Sequence, residues 1–154
     1  LDLPIPYRRL LFGSSIEVVL GVLAFVGLVT YLFVFDPRYA STALLTRLFG
    51  PEPPVPAVYL TLLILWDLCY RIGTSWWAAV VSLWRSLRYA FDADTARALR
   101  RLDALNVAFA LTQLAMVPFL LDRPVLLAAV AGHVVAVTVV SLAAMSTLKT
   151  RSEQ

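Results

Sequence analysis

Four long runs of apolar residues, separated by short polar segments, dominate the pattern of the chain. They cover approximately residues 15–35, 57–84, 104–121 and 125–148. At about 1.5 Å per residue, helices of these lengths match the ~30 Å hydrocarbon core of a bilayer. The pattern predicts an all-α, polytopic integral membrane protein with four transmembrane helices in an antiparallel bundle, forming a single transmembrane domain over residues 1–154.

Residues typical of helix ends flank the first span. Ser14 is followed three residues later by Glu17, which is the capping-box pattern and predicts a helix start. Asp36 and Pro37 predict its end. The span is too long for a cleaved signal peptide, and a chain that begins at Leu1 is expected to be trimmed or processed.

The connection between the first two spans has two parts. Residues 40–49 have apolar positions at helical spacing, which predicts a short interfacial helix, with a re-entrant loop as the alternative. Residues 50–56 contain four prolines and cannot form a regular helix.

The second span can be interpreted as one long tilted helix or as two pieces. Gly73 and the Trp76–Trp77 pair are candidate break points, because tryptophan is enriched at membrane interfaces. A lone glycine costs a helix only about 1 kcal/mol. We therefore expect a continuous helix.

The third and fourth spans are expected to be antiparallel neighbours. Asp94 predicts the N-cap of the third span, and Pro118 predicts a kink near its end. The link at 122–124 is too short for any other arrangement.

Composition supports the membrane assignment. Hydrophobic residues make up 60% of the chain, charged residues 15%, and the mean hydropathy is +0.80. A soluble domain averages about 45–50% apolar and about 25% charged residues. The single cysteine, Cys69, excludes an internal disulfide and a cysteine-cage metal site.

The cations predict orientation and partners. One side of the predicted bundle holds nine of them and the other side holds three, leaving aside Arg71: Arg8, Arg9, Arg85, Arg88, Arg97, Arg100, Arg101, Lys149 and Arg151 against Arg38, Arg47 and Arg123. By the positive-inside rule, both termini are expected to be cytoplasmic, in the cell membrane. Because the cations lie beside hydrophobic segments, they indicate a membrane surface and not nucleic acid.

An ionisable pair interrupts the second span. Asp67 and Arg71 lie one helical turn apart near its middle, where charged groups are costly and usually functional. Helical spacing puts them in a polar stripe with Thr74, Ala78, Ser82 and Arg85. The stripe is either the lining of a pathway or a self-neutralised pair that locks the helix against its neighbours.

Three further polar residues lie within the spans. Asn106 and Gln113 fall on one face of the third span, where they form interhelical hydrogen bonds or join the same lining. His133, in the fourth span, is interpreted as an interhelical hydrogen-bonding group, with a proton relay as the alternative. No cofactor or metal site is indicated.

A basic collar is predicted to contact anionic lipid headgroups. Its members lie at the ends of the second and third spans: Arg85, Arg88, Arg97, Arg100 and Arg101.

The sequence leads to two hypotheses about function. The first is a small membrane protein that forms, as an oligomer, a pathway for a small ion or solute lined by the Asp67 and Arg71 stripe. The alternative is a non-conducting accessory or scaffold subunit that binds a partner membrane protein or anionic lipid. Catalysis is disfavoured, because no nucleophile has an adjacent base.

Overall fold

The structure is a computed structural model that describes residues 3–150. Arg151, one of the cations used for orientation, lies outside the described residues, as does Leu1. The helices are α1 (Ile5–Phe12), α2 (Ile16–Thr30), α3 (Asp36–Tyr39), α4 (Leu44–Phe49), α5 (Val55–Arg88), α6 (Ala93–Leu111), α7 (Val117–Leu120) and α8 (Pro124–Thr147). A π-helical turn, Tyr31–Phe35, joins α2 to α3, and a 3₁₀ turn, Thr112–Met116, joins α6 to α7.

Within residues 3–150, four helical stretches are long and apolar enough to cross a membrane. They are Ile5–Tyr39, Val55–Arg88, Ala93–Leu120 and Pro124–Thr147. The prediction of an all-α chain with four such helices is confirmed. The predicted short helix in 40–49 is also present as α4, Leu44–Phe49.

Both ends of the first predicted helix are corrected. The first helical stretch continues through Asp36 and Pro37 to Tyr39, because proline in the first turn of α3 needs no N–H donor. The Ser14 hydroxyl donates to the Leu10 carbonyl at 2.7 Å. Ser14 therefore bonds back to α1, a helix that the sequence analysis did not predict.

The cap of α6 is also corrected. Asp92, not Asp94, is the N-cap, and its carboxylate accepts a hydrogen bond from the Thr95 backbone N–H at 2.9 Å. That backbone hydrogen bond holds the pKa of Asp92 below its ordinary value. Asp94 lies in the first turn and pairs with Arg97 at 3.0 Å.

By its internal contacts the chain divides into two units, residues 16–74 and residues 3–15 with 75–150. In the first, α2 packs on the N-terminal part of α5 at two glycines. A Cβ on Gly73 would lie 2.6 Å from the Glu17 carbonyl oxygen and 2.7 Å from the Gly21 nitrogen. Gly73 is therefore a close-packing point, and α5 is the continuous helix that was predicted.

In the second unit, α6 and α8 pack along each other. The 3₁₀ turn and α7 continue α6, and a tight turn then leads into α8, so α6 and α8 run antiparallel. Ala79, Ala110 and Val137 bring α5, α6 and α8 together in one buried cluster. A second buried cluster contains Phe91, Ala96, Leu99 and Leu148. Beside it, the two-residue strands β1 (Ala90–Phe91) and β2 (Lys149–Thr150) pair in parallel.

Candidate functional site

A buried ion pair joins α5 to α6 in the second unit. Arg85 of α5 is 0% exposed, and its Nη2 donates to the Asp103 carboxylate of α6 at 2.5 Å. Its Nη1 donates to the Tyr7 hydroxyl of α1 at 3.2 Å, and the Ser82 hydroxyl is a further donor to Asp103. We call these four residues the Arg85–Asp103 cluster. It joins three helices through one guanidinium.

The buried position of Arg85 corrects one prediction. Arg85 was placed in the basic collar that faces lipid headgroups, but its guanidinium is enclosed by protein. Because burial of an unpaired charge is very unfavourable, the partner Asp103 accounts for this position. Asp103 was not predicted as a site residue, because it closes a charged stretch that resembles a solvated helix end. The available signal was its helical spacing with the buried residues Leu99 and Ala110.

A second polar contact in the same unit is uncharged. The Ser75 hydroxyl of α5 lies 3.1 Å from Nε2 of His133 on α8. Asn106 of α6 donates through Nδ2 to the Ser75 carbonyl at 3.0 Å. His133 and Asn106 thus each form a hydrogen bond to another helix, as the interhelical interpretation of each predicts.

Gln113 is placed differently. It is buried, and neither its amide nitrogen nor its amide oxygen has a hydrogen-bond partner among residues 3–150. Buried polar groups without a hydrogen-bond partner are uncommon in folded proteins.

The Asp67–Arg71 pair lies on the exposed side of α5. Arg71 Nε donates to the Asp67 carboxylate at 2.7 Å, and the side chains of Asp67 and Arg71 are 60% and 52% exposed. Thr74 is also exposed and donates to the Tyr70 carbonyl at 2.9 Å. The face of α5 toward α2 is occupied instead by Trp66, which meets the Phe25 ring edge-on at 5.6 Å.

The predicted polar stripe of α5 is therefore divided by the fold. Its first members, Asp67, Arg71 and Thr74, are exposed, whereas Ser82 and Arg85 are buried. Helical spacing predicts a common face for all five, but it carries no information on where along that face other helices pack.

The rest of the basic collar has mixed surroundings. Arg88 lies over the Trp84 ring at 6.0 Å, and Arg97 pairs with Asp94. Arg100 donates to the Leu148 carbonyl at 3.1 Å, at the end of α8. Arg101 is exposed.

These observations define an all-α protein whose described residues include four helices that could each cross a membrane; its Arg85–Asp103 pair is buried and its Asp67–Arg71 pair is exposed. Within residues 3–150, no group of three or more His, Cys, Asp or Glu side chains is arranged to hold a metal ion. Over residues 1–144 the chain matches the model of a family of unknown function, DUF7530, and it belongs to that family. The comparison with curated proteins found no match, and neither did the comparison with solved structures.

Proposed function

We propose that this chain is a polytopic protein of the cell membrane that assembles as an oligomer, with the Asp67–Arg71 pair bordering a pathway for a small ion or solute. In this arrangement all four long helices cross the bilayer and both termini are cytoplasmic. The observation that carries the proposal is the exposure of the pair on a 34-residue helix that is otherwise largely apolar.

The physical argument concerns what covers the pair. An ionisable side chain at the level of the hydrocarbon core is costly when it faces lipid, and such residues usually face protein or a water-filled cavity. Among the described residues, the side chains of Asp67 and Arg71 are more than half exposed. A second subunit supplies the cover and leaves a polar seam between the copies.

The interior of the second unit supports a pathway between subunits and not through one. The last members of the polar stripe, Ser82 and Arg85, are buried in the Arg85–Asp103 cluster, and the charges of this cluster are already paired. A pathway through this unit would have to break that pair.

The test is ion and proton flux into liposomes that contain the purified protein. Asp67→Asn and Arg71→Gln should each abolish flux while the assembled protein stays intact. Asp94→Asn is the matched control, because it removes one partner of another exposed ion pair within a helix. Flux that is unchanged in Asp67→Asn and Arg71→Gln would overturn the proposal.

One observation favours the second candidate, a non-conducting accessory subunit. Asp67 and Arg71 are hydrogen-bonded to each other at 2.7 Å and carry no net charge as a pair. Such a pair can also serve as a polar contact with a partner membrane protein. Absence of flux in the intact wild type, together with loss of a copurifying membrane protein in Asp67→Asn, would support this function instead.

Anionic lipid is the second partner in the proposal. The exposed cations Arg88, Arg97 and Arg101 would contact headgroups at the cytoplasmic surface, each contributing about 1 kcal/mol.

A further inference from the structure

The short helix α1 (Ile5–Phe12) is fixed in place by α5. The Tyr7 side chain is buried, and its hydroxyl accepts a hydrogen bond from Arg85 at 3.2 Å. One turn further along, the Leu10 carbonyl accepts a hydrogen bond from the Trp77 indole N–H at 2.9 Å. These two contacts hold α1 with one face toward the protein and determine which residues face away from it.

The outward face of α1 combines positive charge with apolar side chains. Arg8 and Arg9 are both exposed, while Ile5 and Phe12 are 74% and 77% exposed. Together with Gly13 they line an open depression of about 400 Å³. Water alone is a poor solvent for this surface, because two large apolar side chains flank the guanidinium groups.

This combination matches one class of ligand. Guanidinium groups bind phosphate oxygens through charge-assisted hydrogen bonds. A short helix with cations beside large apolar residues is typical of segments that lie at the boundary between headgroups and acyl chains. A free phosphate ion would use the arginines but would leave Ile5 and Phe12 in water.

We propose that α1 forms a binding site for one anionic phospholipid. The phosphate is held by Arg8 and Arg9, and the first part of an acyl chain lies against Ile5 and Phe12. The site shares no residue with the Asp67–Arg71 pair, so it rests on the proposed membrane placement of the chain but not on the proposed pathway.

The test is native mass spectrometry of the full chain released from nanodiscs of phosphatidylcholine mixed with phosphatidylglycerol. The wild type should retain phosphatidylglycerol in preference to phosphatidylcholine. Arg8→Gln/Arg9→Gln should reduce that retention by about tenfold or more. Equal retention in this variant and the wild type would overturn the proposal.

The control variant is Arg38→Gln/Arg47→Gln, which removes the same charge from exposed positions far from α1 in sequence. It should retain the lipid as the wild type does. Arg8→Lys/Arg9→Lys keeps both charges and should recover most of the retention, which separates lipid binding from misfolding. An equal loss of phosphatidylglycerol retention in the Arg38→Gln/Arg47→Gln control would mean that retention depends only on net charge. That result would overturn the proposed site.

Phe12→Ser tests the apolar half of the site. It should lower retention of phosphatidylglycerol while leaving both arginines in place. If it changes nothing, and inorganic phosphate displaces the lipid from the wild type, the site takes a free anion and the lipid assignment is wrong.

Discussion

Two aspartate–arginine pairs in this chain have the same chemistry and opposite surroundings. Asp67 and Arg71 lie one turn apart on a single helix and are more than half exposed. Arg85 and Asp103 come from two helices and are almost fully buried. The first pair can form in any helix with this sequence, whereas the second requires the fold. We therefore expect the buried pair to control stability and the exposed pair to control flux.

The largest expected effect is loss of one partner of the buried pair. Arg85→Met leaves Asp103 buried without its counterion, which typically costs about 3–5 kcal/mol. The measurement is the free energy of unfolding in mixed detergent micelles. The double variant Arg85→Met/Asp103→Leu should be more stable than either single variant. A single variant as stable as the wild type would contradict the assignment of stability to this pair.

The next effect concerns the unit that carries the exposed pair. Its stability should depend on the close contact of α2 with α5 and not on the charges. Gly73→Ala forces a Cβ against the Glu17 carbonyl and the Gly21 nitrogen, which are backbone atoms that cannot move aside easily. We expect a loss of about 1–3 kcal/mol. Gly132→Ala is the control, because a Cβ there meets nothing within 4 Å; similar losses in both variants would contradict this explanation.

Uncharged polar contacts in the same unit should contribute less to the free energy of unfolding than the buried pair does. Asn106→Leu removes the hydrogen bond to the Ser75 carbonyl. Interhelical hydrogen bonds of this kind average about 0.6 kcal/mol. The same unfolding measurement checks the value. A loss as large as that of Arg85→Met would show that charge is not what distinguishes the cluster.

The exposed pair should have the smallest effect on stability of the sites within the spans. Exposed pairs at this spacing contribute about 0.3–0.5 kcal/mol. Asp67→Asn is therefore expected to unfold almost as the wild type does, yet to lose flux in the membrane while the oligomer stays assembled. Destabilisation of the isolated protomer by several kcal/mol would remove the contrast between the two pairs.

The two pairs also show what sequence can and cannot predict here. Hydropathy predicted the four long helices, and the low cost of a single glycine predicted the continuity of α5. Helical periodicity predicted a polar stripe that contains Asp67, Arg71 and Arg85. These patterns did not reveal that Asp103 would pair with Arg85, because that contact depends on how α5 and α6 pack. Helix α1 was missed for a related reason: eight residues with two arginines have little helical signal, and their position depends on Trp77 and Arg85 of α5.

An exposed carboxylate outside the two pairs, the N-cap Asp92, should make stability depend on pH. Its pKa is lowered by the Thr95 backbone hydrogen bond, so the stabilisation by the cap is complete above the ordinary carboxyl pKa of about 3.9 and is lost as the pH falls through the lower folded value. Asn also caps helices, so Asp92→Asn should keep the stability seen at neutral pH and weaken its decline in acid. Asp92→Ala should lose the cap at every pH. Circular dichroism melts at neutral and acidic pH measure both effects, and an acid decline that is identical in wild type and Asp92→Asn would assign it to another carboxylate.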